Sequence, residues 1–554
     1  MAPTFHDAMA TGYALGEPSL ILGSPMEDTV AIPDVRVQVA LSMINRHGLI
    51  AGATGTGKTK TLQLMAGQLS AAEVPVLVAD IKGDLTGLAL PGDGANPRVQ
   101  ARAKELGWEF KPDGHPIELL SLTGRLGAQV RATVHSFGPL LLGKVLNLNE
   151  TQTSVLALVF KYCDDHDLAL LDLDDLRTTL KFLGSDEGKV VLEDYGGIGP
   201  ATLGVILRSI VGLEQQGADV FFGEPEFEVE DLMRTTPAGQ GIISVLELSD
   251  VMDKPVLFST FMLWMLAQLY ESLPEAGDLP KPKLAFFFDE AHLLFDDASE
   301  ALLDQVERTV RLIRSKGVGV FFVTQVPTDV PAAVLAQLGN RVQHALRVFT
   351  PEDADNLKKT VRTFPMTDYF DAGQVIMSLG TGEALVTVLS PRGVPTPLAP
   401  TRLVPPDSLM AAIPPDELER RISAGSLYAT YAAPIDRESA HEIISARLAA
   451  AKAAVAGATG APGTQALTPA QERREIEARA RDLERIRREA ESDAKAAQRE
   501  RAREEAAQRR EEAAQRREAE RDARTRNRMI EEVGGGLIRG VFGTLFGGSR
   551  RRRR

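Results

Sequence analysis

Eight residues near the start of the chain, Gly-Ala-Thr-Gly-Thr-Gly-Lys-Thr at 52–59, constrain the fold more than any other feature of the sequence. They fit the pattern G-x-x-x-x-G-K-[ST] and stand between an apolar run, 48–51, and a helical pattern, 59–69. That is the strand, loop and helix setting in which such a segment binds phosphate. Gly52, Gly55 and Gly57 let the backbone curl, so that consecutive N–H groups, with a helix N-terminus behind them, face the β- and γ-phosphates of a nucleotide. Lys58 adds a point charge, and Thr59 offers its hydroxyl to Mg²⁺. The predicted nucleotide-binding residues are Gly52, Ala53, Thr54, Gly55, Thr56, Gly57, Lys58, Thr59 and Lys60.

From 47 to about 389, short β-branched or aromatic runs alternate with helical patterns, which predicts a parallel sheet covered by helices on both faces. Strands are predicted at 47–51, 74–79, 117–122, 241–246, 284–288, 319–324 and 341–349. Positions from about 140 to 235 read as a helical insertion, and 377–389 as a closing hairpin that turns at Gly380 to Gly382.

Prolines then crowd 391–415 and large hydrophobes thin out, so the core is predicted to span 1–400, with 401–468 a linker or wrapping arm. Within that arm 449–463 is rich in Ala and Gly, a second joint. From 469 to about 530 the chain is almost all Ala, Glu, Arg and Gln, and Ala-Ala-Gln-Arg-Arg-Glu occurs twice within 506–518. This predicts a long charged helix, either solvated or a weak coiled coil. Ile476, Leu483 and Ile486 fit a heptad series that continues only as Ala490, Ala497 and Glu504. The segment 531–554 joins a glycine-rich apolar stretch to five terminal arginines. It reads as a disordered tail, or as an anchor for an acidic protein partner, nucleic acid or an anionic membrane.

A chain of 554 residues with 44% hydrophobic content can bury one large core plus appended segments. Its formal net charge of −14 repels nucleic acid from most of the surface, so any DNA contact is local. Cys163 is the single cysteine, which excludes an intramolecular disulfide. The N-terminus lacks the pattern of a secretory signal, which makes the cytoplasm the expected location. The most apolar stretch, 256–269, is broken by Ser259, Thr260 and Gln268 and reads as a buried helix.

The second half of a hydrolytic site lies at 284–292, Leu-Ala-Phe-Phe-Phe-Asp-Glu-Ala-His, where a strand buried on both faces delivers two acids at its carboxyl end. Asp289 is placed to hold Mg²⁺ through water, and Glu290 to polarise the attacking water as general base. Without the phosphate loop, two such acids would read as a solvated helix cap. Asp-Glu-Ala-His also spells the box of a large helicase class, but the arginine-rich Q-x-x-G-R-x-G-R element and a second recombinase-like domain are missing. The next strand ends in Gln325, which would lie beside the γ-phosphate as a sensor. The site requires both stretches to converge across adjacent strands of one sheet.

In this order GATGTGKT, FFFDEAH and VTQ resemble the HerA/FtsK superfamily of ring-forming ATPases, in particular the HerA-like bacterial proteins of YjgR type, over roughly 20–400. The segment VADIKGDLTGLA at 78–89 adds to the likeness by placing Asp80, Lys82 and Asp84 just beyond the second strand. Whether they touch nucleotide or a neighbouring subunit stays open. The resemblance implies an α/β P-loop NTPase fold of RecA-like type with a mostly parallel sheet, ATP and Mg²⁺ as cofactors, and ATP hydrolysis. It also implies a homo-oligomer, a hexamer, in which an arginine from one subunit stabilises the γ-phosphate of the next. Arg308, Arg311 and Arg314 lie on the helix before the sensor strand and Arg341 opens the strand after it; Arg314 and Arg341 are the preferred candidates. HerA itself carries an N-terminal β-barrel that docks a nuclease, whereas residues 1–51 are too few for that domain, so the nuclease partnership is not expected to carry over.

Two functions of different class are compatible with these features. One is a motor that moves a polymer, duplex DNA above all, through a ring. The other is an ATP-dependent assembly or scaffold factor that recruits proteins or membrane through its C-terminal helix and tail. A GTPase is set aside because the chain lacks an N-K-x-D guanine motif.

Overall fold

The structure, a computed structural model, describes residues 3–195, 197–295 and 300–459. The chain divides into two units, Met1–Lys452 and Ala453–Arg554, and the first holds the whole sheet. The charged segment 469–530 and the tail 531–554 lie outside the described residues.

Thirteen strands among the described residues form one sheet. In chain order they are β1 (Ser19–Glu27), β2 (Val30–Ala31), β3 (Val37–Ala40), β4 (Gly48–Ala51), β5 (Val76–Asp80), β6 (Ile117–Ser121), β7 (Ala128–Gln129), β8 (Ile243–Glu247), β9 (Leu284–Phe288), β10 (Val318–Thr324), β11 (Asn340–Gln343), β12 (Glu383–Thr387) and β13 (Ala399–Leu403). Across the sheet they run β2-β1-β13-β12-β11-β4-β10-β9-β5-β8-β6-β7, with β3 also on β1. The eight strands from β11 to β7 pair in parallel. The remaining flank is antiparallel.

The central strands are apolar without alternation because both faces are covered. Every residue of β5, β8, β9 and β10 is buried. Phe287 stacks on Phe321 at 4.9 Å and Phe288 on Phe322 at 5.2 Å between ring centroids. Successive side chains enter opposite cores. Phe287 and Phe321 join Leu62, Met65 and Leu69 of the helix Lys58–Ala71, while Phe286 and Phe322 join Phe261 and Trp264 of the helix Pro255–Ser272. That helix is interior to the fold, and no described helix is long and apolar enough to cross a membrane.

Between β7 and β8 the chain is helical: Val134–Val145, Glu150–Asp165, Leu173–Leu183, Asp186–Val191 and Pro200–Gln215. Two of these helices start with reciprocal capping boxes, Asn149 with Gln152 and Asp172 with Asp175. After β13 the chain lies along the body. Leu409 N–H donates to Leu90 O at 2.8 Å, Arg131 Nη1 to Tyr431 O at 2.8 Å, and His441 N–H to Asp175 at 2.8 Å.

Three expectations need correction. The strand 341–349 stops at Gln343, beyond which His344 turns in against the phosphate loop. No hairpin closes at Gly380 to Gly382; 372–378 is helical, and β12 pairs with β11 on one side and β13 on the other. The core does not end at 400, because Ala399–Leu403 is an interior strand whose Pro400 sits opposite Leu385. The sheet also gains β1–β3, which the sequence pattern does not mark.

Candidate active site

The parallel strands point their carboxyl ends to one edge, and the site is built there. β4 runs into the phosphate loop, where Gly52, Gly55 and Gly57 adopt φ of +155°, +77° and +121°. Space as well as conformation demands glycine: a Cβ on Gly52 would lie 2.4 Å from the Cβ of His344. Neighbouring strand ends hold the loop, with Gly52 N–H on Thr324 O at 3.2 Å, Ala53 N–H on Ala345 O at 2.9 Å and Gly382 N–H on Thr56 O at 3.0 Å. Thr54 and Gly55 stand exposed at its crown.

Lys58 opens the helix behind the loop. Its ammonium curls back onto Gly52 O at 2.7 Å, in the hollow that the loop encloses. Burial lowers its pKa, an effect opposed by the nearby Glu290 carboxylate. Gly57 caps this helix without any side-chain acceptor, so the first N–H groups face the loop unengaged by a cap. Thr59 and Lys60, next on the helix, are half-buried.

β9 supplies the acids. Asp289 is 1% exposed, its Oδ2 has no hydrogen-bond partner, and burial, with Glu290 beside it, pushes its carboxyl up to about 7. Glu290 takes a left-handed φ of +47°, which costs about 1 kcal/mol for a residue with a Cβ. That kink breaks the strand direction and starts the short helix His292–Phe295. The Glu290 carboxylate pairs with the Lys82 ammonium through Oε1 and lies 3.3 Å from His292 Nδ1 through Oε2.

The phosphate loop and the acids are not on adjacent strands as expected: β10 lies between β4 and β9. Strand order in space does not follow from order in sequence, and the interposed strand gives Gln325 its place. Gln325 follows the last residue of β10 and is exposed at the edge, flanked by the phosphate loop on one side and Asp289 on the other.

The segment after β5 meets the same edge. Asp80 is fully buried and accepts the N–H groups of Lys82, Gly83 and Leu85 at 3.1, 2.8 and 2.8 Å, which shapes the turn. Burial pushes the Asp80 carboxyl up to about 6. Of the three polar residues whose contacts the sequence left open, Lys82 therefore belongs to Glu290 within the same chain. His344 was not foreseen at all. It hydrogen-bonds Thr61 Oγ1 at 2.8 Å under the loop, and burial lowers its pKa to about 4, which keeps it neutral.

The candidate arginines lie elsewhere. Arg314 precedes β10 and Arg341 is the second residue of β11, both at the amino edge of the sheet. The seven residues of β10 put Arg314 roughly 20 Å from the carboxyl edge, whereas Arg341 lies in register with Leu49, nearer the loop. Arg314 is exposed. Arg341 is committed to carbonyls: Nε to Leu338 O at 3.1 Å, Nη1 to Thr363 O at 2.9 Å and Nη2 to Leu335 O at 3.2 Å. Arg311 pairs with Glu307 on its own helix.

A glycine loop wrapped around a lysine, a helix N-terminus behind it, and an acid pair two strands away define the P-loop ATPase class with a RecA-like sheet. Within that class the chain belongs to the HerA-like family, since the family model described as helicase HerA-like C-terminal matches residues 27–552. The DNA double-strand break repair helicase HerA of Sulfolobus acidocaldarius is 20% identical over 356 residues, 64% of each protein. Its namesake from Sulfurisphaera tokodaii is 22% identical over 372 residues, again 64% of each. The match thus spans 64% of the length of these curated relatives. Among solved structures, the bacterial conjugative coupling protein TrwB is 14% identical, with a TM-score of 0.44 and coverage of 71% of this chain and 94% of that one. VirB4 of Thermoanaerobacter pseudethanolicus is also 14% identical, with a TM-score of 0.43 and coverage of 71% and 98%.

Proposed function

We propose that the chain is an ATP-hydrolysing motor subunit of HerA-like type, which assembles as a homo-hexamer and translocates duplex DNA. The observation that carries this reading is the convergence of the Lys58 loop, Gln325 and the Asp289–Glu290 pair on one edge across β4, β10 and β9. The backbone N–H groups of 52–60 and the Lys58 ammonium receive the triphosphate, and Lys58 exchanges the Gly52 carbonyl for phosphate oxygens. Thr59 and Asp289 are the residues that hold Mg²⁺, and the buried, unpartnered Oδ2 of Asp289 suits that task. Bound there, the ion neutralises charge on the β- and γ-phosphates.

Glu290 takes the proton of the attacking water, and to do so it gives up its contact with Lys82. Gln325, exposed between the two halves, hydrogen-bonds the γ-phosphate and loses that contact on hydrolysis. A trans-acting arginine comes from a neighbouring subunit; Arg314, which is exposed, fits that task better than Arg341, whose guanidinium is spent on carbonyls. DNA as the polymer rests on the names of the HerA relatives.

Turnover of ATP measured alone and with duplex DNA, single-stranded DNA or RNA tests the motor. Duplex DNA is expected to raise the rate several-fold, and Lys58→Ala to abolish it in every condition. A rate that none of the three polymers raises overturns the motor and leaves the assembly-factor reading.

A further inference from the structure

On the flank of β9 away from the phosphate loop, the ends of β5 and β8 carry Asp80 and Glu247 directly opposite each other in register. The turn after β5 adds Asp84. One carboxylate oxygen from each of Asp80, Asp84 and Asp289 lies within 4.8 Å of the other two. Oxygens facing each other across a cation are separated by twice the bond length, so this spacing suits metal–oxygen bonds of about 2.1–2.4 Å.

The protein does not supply enough donors to this group. Asp80 accepts its three backbone N–H groups, and Asp250, whose charge reaches Glu247, has only its Oδ2 taken, by the Thr123 hydroxyl and by Arg125 at 3.2 Å. Lys82 is spent on Glu290. Lys60 reaches Asp80 and Asp84 only by its field from the phosphate-loop side. What remains is Asp84 Oδ1, Asp289 Oδ2, Glu247 Oε1 and Asp250 Oδ1, all buried and without a hydrogen-bond partner, on side chains of which Asp289 and Glu247 are 1% and 2% exposed. Buried carboxylates stay ionised only when matched by positive charge or donors. An all-oxygen set is matched best by a hard divalent cation.

We propose that Asp80, Asp84 and Asp289, with Glu247 alongside, bind a hard divalent cation, Mg²⁺ or Mn²⁺, in the absence of nucleotide. The location separates this site from the one that Thr59 and Asp289 offer to a nucleotide-bound ion. The phosphate loop follows β4 and is bonded to Thr324 at the end of β10 and to Ala345 just beyond β11, whereas these acids lie at the ends of β9, β5 and β8, with Asp289 the one on the strand next to β10. The proposal does not depend on the chain being an ATPase.

Mn²⁺ titrated into the nucleotide-free, full-length chain, with free Mn²⁺ counted by electron paramagnetic resonance, provides the test. The parent is expected to bind one Mn²⁺ per chain. Asp84→Asn, on a half-buried turn that tolerates the change, and Glu247→Gln should each weaken binding roughly tenfold or more. Thr59→Val, which removes the hydroxyl offered to a nucleotide-bound ion, should retain the Mn²⁺. Absence of bound Mn²⁺ without nucleotide, or parent-like binding in both carboxylate variants, overturns the proposal. Loss of the ion in Thr59→Val overturns it too, because the ion would then belong to the phosphate loop.

Discussion

Two sets of polar groups in the parallel sheet, one at the start of β11 and one at the ends of β5, β8 and β9, are used in opposite ways. At the start of β11, Asn340 and Arg341 are saturated. Asn340 Nδ2 donates to Met43 O at 2.9 Å and His47 O at 3.0 Å, its Oδ1 accepts Leu389 N–H at 3.1 Å, and Arg341 spends its guanidinium on three carbonyls. At the carboxyl edge, Asp80, Glu247 and Asp289 are as deeply buried as Asn340, yet burial raises their carboxyls to about 6, 8 and 7. A polar group that is fully matched ties elements together, while one left short of partners holds free energy that a ligand can release. The comparison therefore assigns architecture to Asn340 and Arg341 and chemistry to the carboxylates.

The largest effect that would sharpen this contrast is expected at Glu290. Glu290→Gln keeps size and burial but removes the proton acceptor, so turnover should fall by roughly 10²–10⁴-fold. Nucleotide affinity, which the proposal assigns to Lys58 and the loop, should change little. Single-turnover hydrolysis beside equilibrium nucleotide binding checks both halves. Normal hydrolysis in this variant would remove Glu290 from the base role.

A smaller effect is expected from Asp289→Asn, and it depends on pH. The folded chain holds the Asp289 proton up to about pH 7, whereas the free side chain releases it near 3.8. Between those values the folded state binds more protons than the unfolded one, so stability declines as pH rises through the window. Asparagine carries no charge and escapes the decline. Without divalent cations the variant should melt like the parent near pH 4 and above it at pH 8, by a difference on the order of 1–4 kcal/mol. Equal melting at both pH values would show that Asp289 is solvated or compensated in the folded chain.

What was legible in the sequence divides along the same sheet. The parallel strands announce themselves because burial on both faces demands unbroken apolar runs such as 284–288 and 318–324, and the phosphate loop because few other sequences can adopt its φ angles. The antiparallel flank carries no such mark. β13 contains Pro400 and β1 contains Gly23 and Pro25, residues that read as breakers until their partners are known. Spatial order was hidden as well, so the placement of β10 between the two halves of the site went unread. The link between Lys82 and Glu290 joins residues 208 positions apart, beyond the reach of any spacing argument.

Arg341 puts the contrast itself at risk with the smallest expected change. It was a preferred trans-acting arginine on position alone, but three short contacts to Leu335, Leu338 and Thr363 make it a clamp between β11 and the segments on either side. Arg341→Met keeps the apolar stem and deletes the donors. Leu335 O and Leu338 O are partly buried and would lose their partner, whereas Thr363 O is exposed and can turn to water. A loss of about 1–3 kcal/mol is expected from one or two carbonyls left unmatched. Urea denaturation should show that loss, with turnover per folded subunit unchanged. If stability is instead unchanged and turnover collapses only in the assembled oligomer, Arg341 acts on a neighbour's nucleotide, and the start of β11 is not purely architectural.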